Sequence, residues 1–172
     1  MLKISLDKTS LWYVIYNNFL HLHLKHEYKI KHHEELIALC PQYAYAYAAY
    51  VLKNRFELGE PAIATNTESS FWYAYGVLKN PFPLGEKAIV TDPYFTLRYA
   101  AHVVHGSFPL GEPIIASNAE SSYCYAKDVL KNRFELGEPA INTVPLISKK
   151  YNEFMMNLNN SVFELDNIII SL

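Results

Sequence analysis

The sequence predicts an all-α solenoid, a right-handed stack of 26-residue units in which a long helix alternates with a short α or 3₁₀ helix. Three observations predict it. The chain repeats at a constant step, the longer half of each step has helical spacing between start and stop signals, and the shorter half opens on Gly-Glu-Pro or a close variant.

The repeat is direct. VLKNRFELGEPAIATNTESSFWYAYG begins at Val51, VLKNPFPLGEKAIVTDPYFTLRYAAH at Val77, VVHGSFPLGEPIIASNAESSYCYAKD at Val103, and VLKNRFELGEPAIN restarts at Val129. The step is 26 residues without insertion, a period that marks stacked-repeat architectures. Ile37, Ile63, Ile89, Ile115 and Ile141 fall in one column, and Tyr47, Tyr73, Tyr99, Tyr125 and Tyr151 in another. Five units follow, 36–61, 62–87, 88–113, 114–139 and 140–165, between a helical N-terminal cap over 1–35 and an apolar tail over 166–172. Past Tyr151 the pattern loosens, since Asn152 takes the place of a small residue and Met155–Met156 that of Val-Leu. Terminal units, with a neighbour on one side only, are expected to depart in this way.

Within a unit the long helix is expected near 66–80. Asn66, Asp92 and Asn118 share the start position, where a side-chain oxygen accepts a bond from a free first-turn amide. Pro93 and Pro41 stand at the first helical residue, where a missing N–H costs nothing. Ser70, Tyr73, Ala74, Val77 and Leu78 have the spacing of one helical face. The YAYAYAAYVLK segment, Ala-rich and helical in period, disfavours a β-solenoid.

Asn54, Asn80, Gly106 and Asn132 share the stop position, and Gly and Asn enter the left-handed conformation at least cost. Phe56, Phe82, Phe108 and Phe134 follow and are expected to tuck back against the helix end; Leu58, Leu84, Leu110 and Leu136 are expected to do the same. Glu60, Glu86, Glu112 and Glu138 then open the short helix, near its positive end. A ladder of these carboxylates with Lys53, Lys79 and Lys131 of neighbouring units is the expected structural role. Ala48, Ala74, Ala100 and Ala126 are expected where long helices approach closely.

Composition narrows the function classes. A hydrophobic fraction of 51% with 19% charged residues is too apolar for a disordered chain. Fourteen tyrosines suit ridges between helices or a binding face, with the hydroxyl left wet. A net charge of −2 without a basic block argues against an electrostatic nucleic-acid binder. Cys40 and Cys124 read as apolar fillers, which fits a reducing compartment. The apolar stretch 10–24 is interrupted by Asn17, Asn18, His21 and His23, and is read neither as a signal peptide nor as a membrane span. A cytoplasmic protein is expected.

No phosphate loop, nucleophile elbow or C-x-x-C is present, and no catalytic residue or cofactor is assigned. The four repeated glutamates sit in near-identical settings, unlike an acid–base pair. His21, His23, His26, His32 and His33 beside Glu27, Glu34 and Glu35 are the one metal-like group. Lacking H-E-x-x-H spacing, they read as a solvated helix face, and no metal is assigned. LHLHLKH could alternate as a strand. The run at Ile168, Ile169, Ile170 and Leu172 either covers the last unit or pairs with a second subunit or a partner.

The segments Tyr47 to Asn66, Tyr73 to Asp92, Tyr99 to Asn118 and Tyr125 to Asn142 resemble the tandem-repeat proteins of large tailed bacteriophages and some bacteria, which read like YAxxVLKGRFPEGEPxIAxDP. That resemblance implies a source, and with it the host cytoplasm, and a fold, but no reaction. Ser107, where other units carry arginine, and Lys87, in place of proline, depart from the pattern. A looser similarity to the variant leucine-rich repeat supports the architecture alone.

Stacked repeats offer an extended face for another macromolecule. Residues that vary between otherwise constant units are the candidates for it, and Trp72, Tyr75, Arg98, Tyr123 and Lys127 form the expected interface. Such aromatic and basic residues suit a protein partner. The alternatives are a nucleic-acid groove using Lys53, Arg55, Lys79, Lys131 and Arg133, and self-assembly through the apolar tail.

Overall fold

The computed structural model describes residues 31–170. These residues form an all-α solenoid in which each 26-residue step supplies a long helix and a short one. The first described helix is Lys31–Ile37. The rest of the predicted cap, including LHLHLKH, lies outside the described residues.

Every complete long helix has two parts. An α-helical start, Pro41–Ala46, Thr67–Trp72, Pro93–Tyr99 or Ala119–Cys124, runs into a π-helical end, Tyr47–Leu52, Tyr73–Leu78, Ala100–Val104 or Tyr125–Leu130. The starts obey the capping expectation. Asn66, Asp92 and Asn118 accept the Ser69, Phe95 and Ser121 amides at 2.9, 3.0 and 2.9 Å.

The stops sit one residue earlier than the sequence suggested. Lys53, Lys79, His105 and Lys131 are left-handed, with φ of 50, 51, 57 and 49°, while Gly106 is not. The amide of each donates to the carbonyl of Ala48, Ala74, Ala100 or Ala126, a bond one residue wider than an α-helical one. The next amide, that of Asn54, Asn80, Gly106 or Asn132, reaches the same carbonyl at 3.2, 3.4, 3.3 and 3.1 Å. A side chain with a cationic form at the carbonyl end favours the helix dipole, which offsets part of the left-handed strain. Asn54 and Asn132 serve the turn differently, each accepting from the following Arg amide at 2.8 and 2.7 Å.

The short helices are Glu60–Ile63, Pro83–Ile89, Glu112–Ile115 and Glu138–Ile141, the first and last preceded by 3₁₀ turns at Glu57–Gly59 and Glu135–Gly137. Ile63, Ile89, Ile115 and Ile141 have no exposed surface, and neither do Ala48, Ala74, Ala100 and Ala126, so the close approach expected of the alanines holds. Ser70, Thr96 and Ser122 close the end of the preceding short helix by donating to the Ile63, Ile89 and Ile115 carbonyls at 2.9, 2.9 and 3.1 Å.

The phenylalanines are buried as expected, but Leu58, Leu84, Leu110 and Leu136 remain 54, 56, 52 and 53% exposed. The two columns part because the chain turns between them into the short helix. Each ring fills the space beside the following glycine, and the leucine is left pointing outward. A Cβ at Gly59, Gly85, Gly111 or Gly137 would overlap that ring.

Units are locked together by a tyrosine row. The Tyr73 hydroxyl accepts the Phe56 amide of the preceding unit at 2.9 Å and donates to Glu60 at 2.9 Å. Tyr99 repeats this with Phe82 and Glu86, Tyr125 with Phe108 and Glu112, and Tyr151 with Phe134 and Glu138. These hydroxyls are sequestered and paired, not wet. The glutamates therefore pair with tyrosines, and the expected Glu–Lys ladder does not form among the described residues. Their cationic partners are Arg55 on Glu60 and Arg133 on Glu138, at 2.7 and 2.6 Å.

The last helix differs. Pro145–Ile170 runs unbroken for 26 residues, because it reaches 157 without the left-handed stop or the Phe-x-Leu-Gly-Glu that follows it in other units. Residues 166–170 of the predicted tail continue this helix. Among the described residues no helix is long and apolar enough to cross a membrane.

Candidate functional site

On one long helix Tyr73 and Ala74 point inward, while Trp72 is half-buried and Tyr75 is exposed. The Phe71 and Tyr75 rings stack within 5° of parallel at 5.8 Å. Trp72 stands edge-on to both, at 5.0 and 6.0 Å. The next long helix adds Arg98. Its guanidinium carbon lies 5.3 Å from the Phe71 centroid, 5.5 Å from Trp72 and 5.3 Å from Tyr94, within cation–π range of all three. Arg98 Nη1 also donates to the Tyr94 hydroxyl at 2.5 Å, and no ion pair among the described residues involves Arg98.

Trp72, Tyr75 and Arg98, three of the five residues singled out by sequence, thus share one patch. The other two form a separate pair, with Lys127 Nζ 5.8 Å from the Tyr123 ring and 4.0 Å from Asp128. No ring or cation contact joins this pair to the first patch.

Two concavities border the patch. One of about 230 Å³ is lined by Gln42, Tyr45, Ala46, Tyr50, Glu68, Ser69 and Trp72. The other, about 440 Å³, is lined by residues including Tyr75, Gly76, Lys79, His102 and His105. Burial, then the neighbouring Tyr50, pushes the Tyr45 hydroxyl up to about 12, so it is neutral across the physiological range. Tyr50 and His102 were not among the sequence candidates. They occupy one column, Tyr50, Gly76, His102 and Asp128, whose variation is the same signal that pointed to Trp72 and Arg98.

Arg55 and Arg133, offered to phosphates by the nucleic-acid alternative, are engaged by two nitrogens each. Arg55 donates to Glu60 at 2.7 and 2.9 Å, and Arg133 to Glu138 at 2.6 and 2.8 Å. Cys40 and Cys124 are free thiols, and burial raises that of Cys124. Among the described residues no three His, Cys, Asp or Glu side chains gather to hold a metal, and His21, His23 and His26 lie outside them. No protein-family model, curated protein or solved structure matches the chain.

Proposed function

We propose that the chain is a non-enzymatic binding scaffold for another protein, and that the long helices of units 62–87 and 88–113 carry the contact surface. One observation carries this reading: Trp72, Tyr75 and Arg98, contributed by two units, gather into a single surface patch. Trp, Tyr and Arg dominate protein hot spots because they combine large contact area with directional polar ends. The stacked rings already hold the guanidinium in place, so binding would order little further. The engagement of Arg55 and Arg133 by glutamate weighs against a phosphate groove. On the consensus of the repeat, the partner would be sought first in a phage-infected cell.

The test is affinity capture from the native lysate, with and without nuclease, comparing the natural chain with Tyr75→Ala, Arg98→Glu and Lys127→Glu. A stoichiometric protein should survive nuclease, and the first two variants should weaken its capture about tenfold or more, the equivalent of roughly 1.4 kcal/mol. Lys127→Glu, outside the patch, should weaken it less. Arg98→Glu forfeits cation–π contacts of about 0.5–2 kcal/mol, so circular dichroism must show it folded. Capture indifferent to Tyr75 and Arg98 would remove this surface, and nucleic acid recovered alone would favour the groove.

A further inference from the structure

The concavity between units 36–61 and 62–87 has a counterpart one unit on, and the counterpart is filled. There Arg98 lies against Phe71, Trp72 and Tyr94. One step of 26 residues earlier, Phe71 corresponds to Tyr45, Tyr94 to Glu68, and Arg98 itself to Trp72. So where the later junction carries the chain's own cation, the earlier one carries an indole. Around it stand two tyrosines and a carboxylate. A second cation-on-ring pair uses the same column, since Tyr123, which Lys127 overlies, also corresponds to Tyr45. Among the described residues no cation of the chain overlies Tyr45, and Glu68, exposed beside it, has no ion pair.

We infer that Tyr45, Tyr50, Trp72 and Glu68 form a cage for an alkylammonium group, the head of a lysine side chain on the partner. Aromatic faces attract a cation through their negative quadrupole, and a carboxylate at the rim supplies the opposite charge. The volume, about 230 Å³, falls below that of pockets for drug-sized ligands and suits one side chain. The lining is particular to this junction: the column of Tyr50 holds Gly76, His102 and Asp128 in later units, and that of Trp72 holds Ala46, Arg98 and Cys124. Glu68 also lies in the first turn of its helix, where any carboxylate is favourable. Arg98 lies 5.5 Å from the Trp72 ring, but among the described residues no cation of the chain overlies Tyr45 or Tyr50, and the first-turn role of Glu68 does not explain the two tyrosines gathered around it.

Only the statement that the ammonium belongs to a protein rests on the proposed function, so small probes can test the cage alone. The full-length, ¹⁵N-labelled chain is titrated with n-butylammonium chloride and, separately, neutral n-butanol, following the Trp72 indole N–H. Trp12→Phe assigns that signal, the sequence having two tryptophans. Saturable n-butylammonium binding, on the order of millimolar, is expected, with n-butanol and Glu68→Gln each weaker by about tenfold. Glu68→Gln alters an exposed side chain, and circular dichroism checks its fold. No saturable shift, equal response to both probes, or unchanged affinity in Glu68→Gln would overturn the cage. Partner capture through Tyr75 and Arg98 would stand or fall separately, on the lysate experiment.

Discussion

The Tyr99 hydroxyl shows how much one atom does in this stack. Its ring has no exposed surface, and the oxygen accepts the Phe82 amide at 2.7 Å while donating to Glu86 at 2.9 Å. Tyr99→Phe keeps the ring and strands that amide, so it should cost about 1–3 kcal/mol in urea unfolding. The same chemistry sets a pH limit. Burial raises the hydroxyls of Tyr73, Tyr99 and Tyr125 above the ordinary 10.0, with hydrogen bonding to glutamate adding to the rise. Between the unfolded and folded values the native state binds the extra protons. The contribution is therefore whole below pH 10 and is lost as pH rises through the folded values. Phenolate absorbance should lag behind that of a free tyrosine and then rise together with loss of helical circular dichroism; separate transitions would refute the coupling. The tyrosine column was visible in the sequence. Its partners were not, because they lie 13 and 17 residues away, offsets that no helical period marks.

At the scale of the element, start signals were legible and stop signals were displaced. Asn66, Asp92 and Asn118 cap through local bonds, so residue type and position suffice to find them. The stop depends on a widened last turn, which moves the left-handed residue onto Lys79 or His105 against intrinsic preference. This separates two glycines that look equivalent as helix breakers. A Cβ at Gly106 meets nothing within 4 Å, and the residue lacks a positive φ, so Gly106→Ala should be neutral or stabilise by about 0.4–1 kcal/mol. A Cβ at Gly111 would meet Thr96 Cγ2 at a distance no folded structure sustains, and the Phe108 ring at 2.5 Å. Gly111→Ala should therefore destabilise by about 1–3 kcal/mol in the same urea assay. If both variants unfold alike, the displaced stop is wrong. The candidate patch was partly legible for a related reason. Variation against a constant repeat exposes individual residues such as Trp72 and Arg98, but whether their side chains meet depends on how successive helices pack.

For the whole molecule, the repeating bonds make stability a sum over neighbours, as expected when each unit touches chiefly the next. Each junction uses the same set: a tyrosine, the phenylalanine amide before it and the opening glutamate. Removing residues 88–113 should then leave a stack that still closes. Lys87 would join Ile114, and Tyr125 would take the place of Tyr99 against the Phe82 amide and Glu86. The shortened chain should unfold cooperatively, with a lower midpoint and a smaller denaturant slope because less surface is buried. Removing only 101–113 should abolish cooperative unfolding, since Phe108 and Glu112 are lost and Tyr125 would no longer face any glutamate. The full-unit deletion also removes Arg98 while keeping Tyr45, Tyr50, Glu68 and Trp72. Ammonium binding should survive it and partner capture should weaken, which separates the cage from the wider surface in one folded protein. A stack that collapses after loss of a whole unit would show that the junctions are not interchangeable, and that the periodicity of the sequence overstates the independence of its units.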